Sequence, residues 1–350
     1  MLGGVILRNF LLFTVFLVIL SIVSSFFVHD RLKFFSRQHT TLLKGIAILT
    51  VIWGHIGLAY HIYSIQWIAG IGVALFLICS GYGLEASFNK NGLNNFWEKR
   101  IVAVVIPYWI IYLIATLLLR SNFNLRAFFS ILLFIKANWY IPYILIVYVI
   151  YWCVKKTVLK YKLSRGVFYG LLLVCFTIWF VIVSYYFITP DAPSLLARQM
   201  YAFVIGVVFY DYYDKIRMFF VRYTLKNILS FGIIAVISLA IMLVTNKLSV
   251  FDHFPNIVNN IISLFTVVPL AVFVIWVSCI AYPLFSNLFF RFMGVISYEV
   301  YLIQYFSRQL VNENPITLYI CFIVTVVLAW MFYSGYKYIK ARMLRKMQKS

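Results

Sequence analysis

Acidic residues are scarce in this chain: only 9 of its 350 residues are Asp or Glu, against 30 Lys and Arg. Charged residues of both signs make up 11% of the sequence, whereas soluble domains carry about a quarter. Hydrophobic residues reach 64%, a composition that suits a solvent that does not demand charge. These proportions exclude an ordinary soluble domain and predict an all-α, polytopic transmembrane helix bundle.

Cysteine is also sparse, with five residues scattered singly through apolar runs. No Cys-x-x-Cys motif and no Cys/His spacing typical of a metal site is present, so neither a disulfide framework nor a bound metal is expected. A linker rich in Pro, Gly or Ser is missing as well. The simplest interpretation is therefore one bundle domain.

The net charge of +21 raises the alternative of a nucleic-acid-binding protein. The cations, however, form short clusters between apolar runs and define no basic face. Such clusters are typical of loops that set membrane topology. The bilayer is thus the expected partner, and no nucleic acid is expected.

About eleven runs are long and apolar enough to be candidate spans, since about 20 residues cross a bilayer. They cover residues 6–28, 42–62, 66–86, 101–119, 139–154, 166–189, 198–213, 227–245, 258–282, 294–312 and 315–336. Residues 1–40 are expected to form an extra helix with a basic loop, because the first run is too long for a cleaved signal peptide. Residues 41–336 form the core, and 337–350 a basic tail.

The distribution of Lys and Arg fixes the expected orientation. If the loop 29–44 is cytoplasmic, 23 of the 30 cations fall on the cytoplasmic side. The N-terminus is then outside and the C-terminus inside a cell (inner or plasma) membrane.

Two polar residues stand out in the run 42–62, because polar groups inside a membrane are costly. Lys44 and His55 are eleven residues apart, which places them within about 20° on one helix face and about 16 Å apart along the axis. His55 would lie past the midplane, toward the outside. The alternative is that Lys44 only marks topology and His55 only forms a structural hydrogen bond.

A second polar set lies in the run 294–312. Its members share one helix face by their spacing of i, i+4, i+7 and i+11: Ser297, Tyr301, Gln304 and Arg308. Glu299 lies off this stripe and is expected to pair with a cation on another helix. Interhelical hydrogen bonds that only fix packing are the alternative for the whole stripe.

Weaker features lie in three other segments. Lys99 and Arg100 lie at the predicted cytoplasmic end of a span, where they either bind phosphates or hold the helix in place. Trp139 and Tyr140 are either interfacial anchors or part of a binding site. The small residues of 72–84 favour close helix packing.

These segments together resemble the motifs of the membrane acyltransferase 3 family, in the same order along the chain. The similar segments are 43–47 with 54–56, 72–84, 99–108, 138–140, 201–207 and 297–304. His55 matches the family's histidine. The chain departs from the family pattern in having Thr41 in place of an Asp, Lys44 in place of an Arg, Ala103 in place of a basic residue and Gln304 in place of a His.

The resemblance implies an acyltransferase that moves an acyl group, usually acetyl, from cytoplasmic acyl-coenzyme A to a hydroxyl of an envelope glycan or lipid-linked saccharide. By this resemblance His55 is the catalytic base, with Tyr301, Ser297 or Tyr140 as the donor that steadies the oxyanion. Coenzyme A would be held by Lys44, Lys99 and Arg100. The acceptor would contact Trp139, Tyr140, Glu299, Gln304 and Arg308.

Two other classes of function stay open at this point. A transporter or polysaccharide exporter also needs polar groups in the membrane, and a structural subunit of an envelope synthesis complex needs no chemistry at all. The glycan, the acyl group and the oligomeric state, including a homo-oligomer, are left open by the sequence.

The charge bias yields a topology prediction. A reporter fused after Ser350 should be active on the cytoplasmic side, and one fused ahead of Met1 should be active outside. The positive-inside rule is the physical reason. Both reporters giving the reverse result would overturn the orientation.

Overall fold

The computed structural model describes residues 2–27, 32–119, 124–135, 137–186, 197–222, 224–248 and 255–347, and this part of the chain is helical without strands. The helices are α1 Leu2–Ser25, α2 Arg37–Ala59, α3 Gln66–Asn91, α4 Phe96–Arg100, α5 Ile106–Leu119, α6 Leu125–Leu132, α7 Tyr140–Lys160, α8 Arg165–Tyr186, α9 Tyr201–Asp211, α10 Tyr213–Val221, α11 Leu225–Lys247, α12 Asn256–Ile280, α13 Tyr282–Phe285, α14 Leu288–Val295, α15 Ser297–Ser307 and α16 Ile316–Met347. The all-α bundle is confirmed.

Each predicted span coincides with a helix, but two of these helices are short. Nine helical segments among the described residues are long and apolar enough to cross a membrane. By contrast, α9 and α15 have 11 residues each, or about 16 Å, roughly half the hydrocarbon thickness. The predicted span 294–312 is broken at Ile296, where α14 and α15 meet. Eleven complete crossings are therefore not seen.

The last helix differs from its predicted end at residue 336. Helix α16 continues to Met347, so most of the predicted basic tail is helical. Lys and Arg are good helix formers, and no proline interrupts the run. Of the cations counted for orientation, Arg31, Arg120, Lys136 and Lys349 lie outside the described residues.

Helices α2, α3 and α9 pack with almost no space between their backbones. A Cβ added at Gly72 would lie 2.4 Å from the carbonyl oxygen of Ala47, and one at Gly54 would lie 3.2 Å from Cβ of Ala69. Because residue 72 meets 47 while 69 meets 54, α2 and α3 are antiparallel. A Cβ at Gly81 would lie 2.1 Å from the carbonyl oxygen of Phe203 on α9. The prediction that 72–84 serves close packing is confirmed.

Four charged residues from four helices meet at one end of the bundle. Glu85 of α3 accepts hydrogen bonds from Lys155 Nζ at 2.7 Å, Arg165 at 2.8 Å and the Tyr151 hydroxyl at 2.8 Å. Arg165 also binds Asp211 at the end of α9. Glu85 and Lys155 are only 1% and 2% exposed. We call this set of two cations and two carboxylates the Glu85 cluster, and the end of the bundle that carries it the basic end.

The Glu85 cluster yields a stability prediction. Lys155→Met should lower the free energy of unfolding by about 3 kcal/mol or more, because removing one partner leaves a buried carboxylate with less compensation. Thermal unfolding in detergent measures the loss. Lys156→Met is the matched control, since Lys156 is exposed and lies over the ring of Trp152. Equal stability of the two variants would contradict the assigned role.

Candidate active site

His55 lies in the interior near the end of α2 that is opposite the basic end. It is four residues from Ala59, where the helix stops, and its side chain is partly buried. Gln304 of α15 faces it at hydrogen-bonding range, and Arg308 lies within electrostatic range. The structure thus brings together three of the predicted site residues from two helices.

Gln304 has unused hydrogen-bonding capacity at this position. Its side chain is 1% exposed, and neither its amide nitrogen nor its amide oxygen has a partner of acceptable geometry among the described residues. The approach to His55 is therefore close without being a well-formed hydrogen bond. Buried polar atoms in native proteins are nearly always paired, by water or a ligand where protein groups do not suffice.

Tyr301 and Tyr140 continue the interior surface from Gln304 toward the basic end. Their ring centroids are 5.3 Å apart, and the buried Tyr301 hydroxyl has no partner of acceptable geometry among the described residues. Trp139 packs on the rings of Tyr140 and Tyr143 at 5.8 and 5.6 Å. The predicted aromatic pair at the start of α7 thus lies beside the polar face of α15.

Lys44 is the next charged group along this interior surface. It lies within electrostatic range of Cys79 on α3, and Cys79 is in turn within range of Tyr140. Its position in the first half of α2 places it nearer the basic end than His55. Gly45 holds this part of α2 against α14, because a Cβ there would lie 1.9 Å from the carbonyl oxygen of Phe290.

A group of cations lies at the end of this interior surface that is nearest the basic end. Arg100 lies over the rings of Phe96 and Tyr148, at 5.3 and 5.6 Å, and its buried Nε has no hydrogen-bond partner among the described residues. Lys340 of α16 lies within electrostatic range of Lys44, Arg100 and Glu299. We call Lys44, Arg100, Lys340 and the carboxylate Glu299 the cationic mouth. Lys340 is the cation that lies within electrostatic range of Glu299. Among the described residues, these two form no ion pair within 4 Å.

Two predicted site residues lie elsewhere. Lys99 donates from Nζ to the carbonyl oxygen of Asn94 at 3.3 Å, within the turn between α3 and α4. Ser297 begins α15 and is seven residues, or about 10 Å, from Gln304, so it belongs to the basic end and not to the surroundings of His55. Neither is placed to act on a group held at His55.

The residue pattern gave no sign of a π-helical turn, Ile101–Val105, directly after Arg100. The Tyr336 hydroxyl donates to the carbonyl oxygen of Val102, and the Tyr298 hydroxyl to that of Val104, both at 2.7 Å. A π turn shifts backbone hydrogen bonding and frequently marks functional sites.

A cavity of about 400 Å³ lies at the opposite end of the bundle, beyond His55. Its lining combines aromatic and polar side chains, among them Tyr112, Thr116, Tyr305, Phe306 and Gln309. Arg308 lies over the ring of Tyr305 at 4.9 Å, beside this lining. The cavity therefore adjoins the cation that faces His55.

A metal site is not formed by this arrangement. Among the described residues, no three His, Cys, Asp or Glu side chains come together as metal ligands. What the interior offers is a basic entrance, a row of hydroxyl and amide groups, an imidazole and a second opening. This set of groups suits binding of an anionic molecule and proton transfer at its inner end.

Comparison with known proteins identifies the family. The profile of the acyltransferase domain family, acyltransferase 3, matches residues 41–334, which is most of the chain. No curated protein and no solved structure matches. The match contains His55, Lys44, Arg100 and the whole of α15, and it begins after α1. The chain therefore belongs to the acyltransferase 3 family and is a membrane-embedded acyltransferase.

Proposed function

We propose that the protein transfers an acyl group, most simply acetyl, from cytoplasmic acyl-coenzyme A to a hydroxyl of a glycan or lipid-linked saccharide of the cell envelope. One observation carries the proposal. Three side chains in the region between the cationic mouth and His55 have buried polar atoms with no hydrogen-bond partner among the described residues: Arg100 Nε, the Tyr301 hydroxyl and both amide atoms of Gln304. Such atoms suit a polar ligand that binds in this region.

The basic end suits the donor. Coenzyme A carries several phosphate charges, and Lys44 and Arg100 are cations partly withdrawn from water, where their attraction for phosphate is strengthened. From Lys44 the extended thioester arm would run past Tyr140 and Tyr301 to His55, about 16 Å along the helix axis. The charge bias of the loops supports a cytoplasmic location for this end in the cell membrane.

The chemistry at His55 follows from the groups present. A neutral imidazole nitrogen takes the proton of the acceptor hydroxyl as its oxygen attacks the thioester carbonyl. The developing oxyanion is then stabilised by Arg308, the Gln304 amide or the Tyr301 hydroxyl. When the carbon–sulfur bond breaks, the proton passes from His55 to the coenzyme A thiolate. An acyl-histidine intermediate is the alternative course.

The cavity beyond His55 suits the acceptor. Beside its aliphatic side chains, its lining includes aromatic rings and hydroxyl and amide groups, which can stack on a sugar ring and form hydrogen bonds to it. Because it lies at the end opposite the basic end, a saccharide would enter from outside the cell. Donor and acceptor would then meet at His55 from opposite sides of the membrane.

A transporter without acyl transfer is the second candidate. The short helix α9 favours it, since helices that do not cross the whole membrane are typical of transporter binding sites. Such a protein needs polar groups along its path but no proton acceptor. The chemistry at His55 therefore separates the two functions.

His55→Gln should lower the transfer rate by roughly 10²- to 10⁴-fold, because glutamine keeps a polar side chain of similar size but cannot exchange a proton. Release of coenzyme A by purified protein supplied with acetyl-coenzyme A and an envelope saccharide extract measures the rate. His61→Gln is the control, since His61 is exposed in the turn after α2. A normal rate in well-folded His55→Gln would remove His55 as the base and favour transport.

Tyr301→Phe separates catalysis from stability. Removing a buried hydroxyl without a partner should leave the unfolding temperature equal or higher, because an unsatisfied group costs about 1–3 kcal/mol. The transfer rate should fall, by about 10²-fold if the hydroxyl steadies the oxyanion. Activity and thermal unfolding are measured on the same sample.

Tyr143→Phe is the matched control for Tyr301→Phe. The Tyr143 hydroxyl donates to the carbonyl oxygen of Arg198 at 2.7 Å, so this variant loses a formed bond. It should be less stable and nearly as active. If Tyr301→Phe behaves in the same way, its hydroxyl has a structural role only.

A further inference from the structure

Helix α16 extends beyond the part of the chain that defines the family. The family match ends at residue 334, whereas α16 continues in one helix to Met347. Two residues of this extension, Tyr336 and Lys340, point into the bundle: Tyr336 is 5% exposed and Lys340 is partly buried. Their neighbours Lys337, Tyr338 and Ile339 are exposed. One face of the extension is therefore packed on the protein.

Tyr336 fixes this face to the helix that carries Arg100. Its hydroxyl donates to the carbonyl oxygen of Val102 at 2.7 Å, inside the π-helical turn two residues after Arg100. The bond is buried, which makes it a strong constraint on the position of α16. Tyr298 of α15 makes the matching bond to Val104. The π turn is thus held from both neighbouring helices.

Lys340 follows Tyr336 by four residues, so it lies about 6 Å further toward the basic end and within about 40° of the same face. Phe96–Arg100 precede Val102 in the same direction. The hydrogen bond from Tyr336 to Val102 therefore positions Lys340 beside Arg100. This agrees with its electrostatic interactions with Arg100, Lys44 and Glu299.

The charges of the cationic mouth do not balance. Lys340 lies within electrostatic range of two other cations, Lys44 and Arg100, and of one carboxylate, Glu299, and no ion pair within 4 Å involves these four among the described residues. The Glu85 cluster at the same end contains two cations and two carboxylates in direct contact. These four residues therefore carry an excess of two positive charges, partly removed from water, a charge distribution that suits a multiply charged anion.

We propose that Lys340 is a donor-binding residue that contacts the phosphates of coenzyme A together with Arg100 and Lys44. This deepens the proposed function and rests on it. Glu299 is the internal counter-ion of Lys340 while the mouth is empty, and the phosphates take its place when the donor binds. The family-matched domain is thus completed by a residue from outside the match.

The test is binding of coenzyme A to purified, full-length protein in detergent, measured by calorimetry. Lys340→Gln removes the charge and keeps a long polar side chain, so the dissociation constant should rise by about tenfold. Lys337→Gln, three residues earlier on the exposed face, is the control and should bind like the unmodified protein. Lys340→Arg keeps the charge and should also bind normally, which guards against a folding defect.

Three outcomes distinguish the ideas. Weaker binding in Lys340→Gln alone supports the inference. Unchanged binding in Lys340→Gln, while the unmodified protein binds coenzyme A and transfers acyl groups, overturns the role of Lys340 and leaves the proposed function intact. If the unmodified protein neither binds coenzyme A nor releases it from acetyl-coenzyme A, both the inference and the proposed function are wrong.

Discussion

The cost of removing charge from water governs the arrangement of this protein. At the Glu85 cluster that cost is met inside the chain, because two cations and two carboxylates from four helices bond to one another. The cationic mouth at the same end differs in its charge balance, because it combines three cations with a single carboxylate. One set of charges is satisfied by the fold and therefore holds helices together. The other has no such compensation from ion pairs among the described residues, and that difference distinguishes the cluster that holds helices together from the proposed donor site.

Helices α2 and α15 connect the basic end of the bundle with the surroundings of His55. Helix α2 carries Lys44 toward one end and His55 toward the other, and α15 carries Glu299 and Gln304 in the same sense. Helix α2 is packed tightly against α14, since Gly45 and Gly294 leave no room for a Cβ between them. In the proposed mechanism, a donor bound at the cationic mouth must therefore match the fixed distance along α2 between Lys44 and His55. The distance from phosphate to thioester, more than any single contact at His55, would decide which donors react.

The sequence predicted what regular helical periodicity can predict. Lys44 and His55 share one face because α2 is an uninterrupted helix, and Gln304 and Arg308 share one polar stripe by their spacing. The approach of that stripe to His55 was not predicted. Lys99, for which phosphate binding and holding the helix in place were both open, donates to Asn94 in the adjacent turn, and Ser297 is separated from Gln304 by seven residues of α15. Lys340 was missed because it is 41 residues beyond Glu299 and reads as a tail cation. The position of Lys340 depends on the hydrogen bond from Tyr336 to the π-helical turn, and no local pattern of residues predicts such a bond.

The π-helical turn has a consequence for the length of the chain at this point. A π turn closes over one residue more than an α turn, so Ile101–Val105 holds one residue that an α-helix would not need. If the same five residues formed regular α-helix instead, α4 would be rotated by about 100° relative to α5. Arg100 would then leave the mouth while every residue type in the site stayed the same. The direction in which the guanidinium points is thus set by the width of this one helical turn.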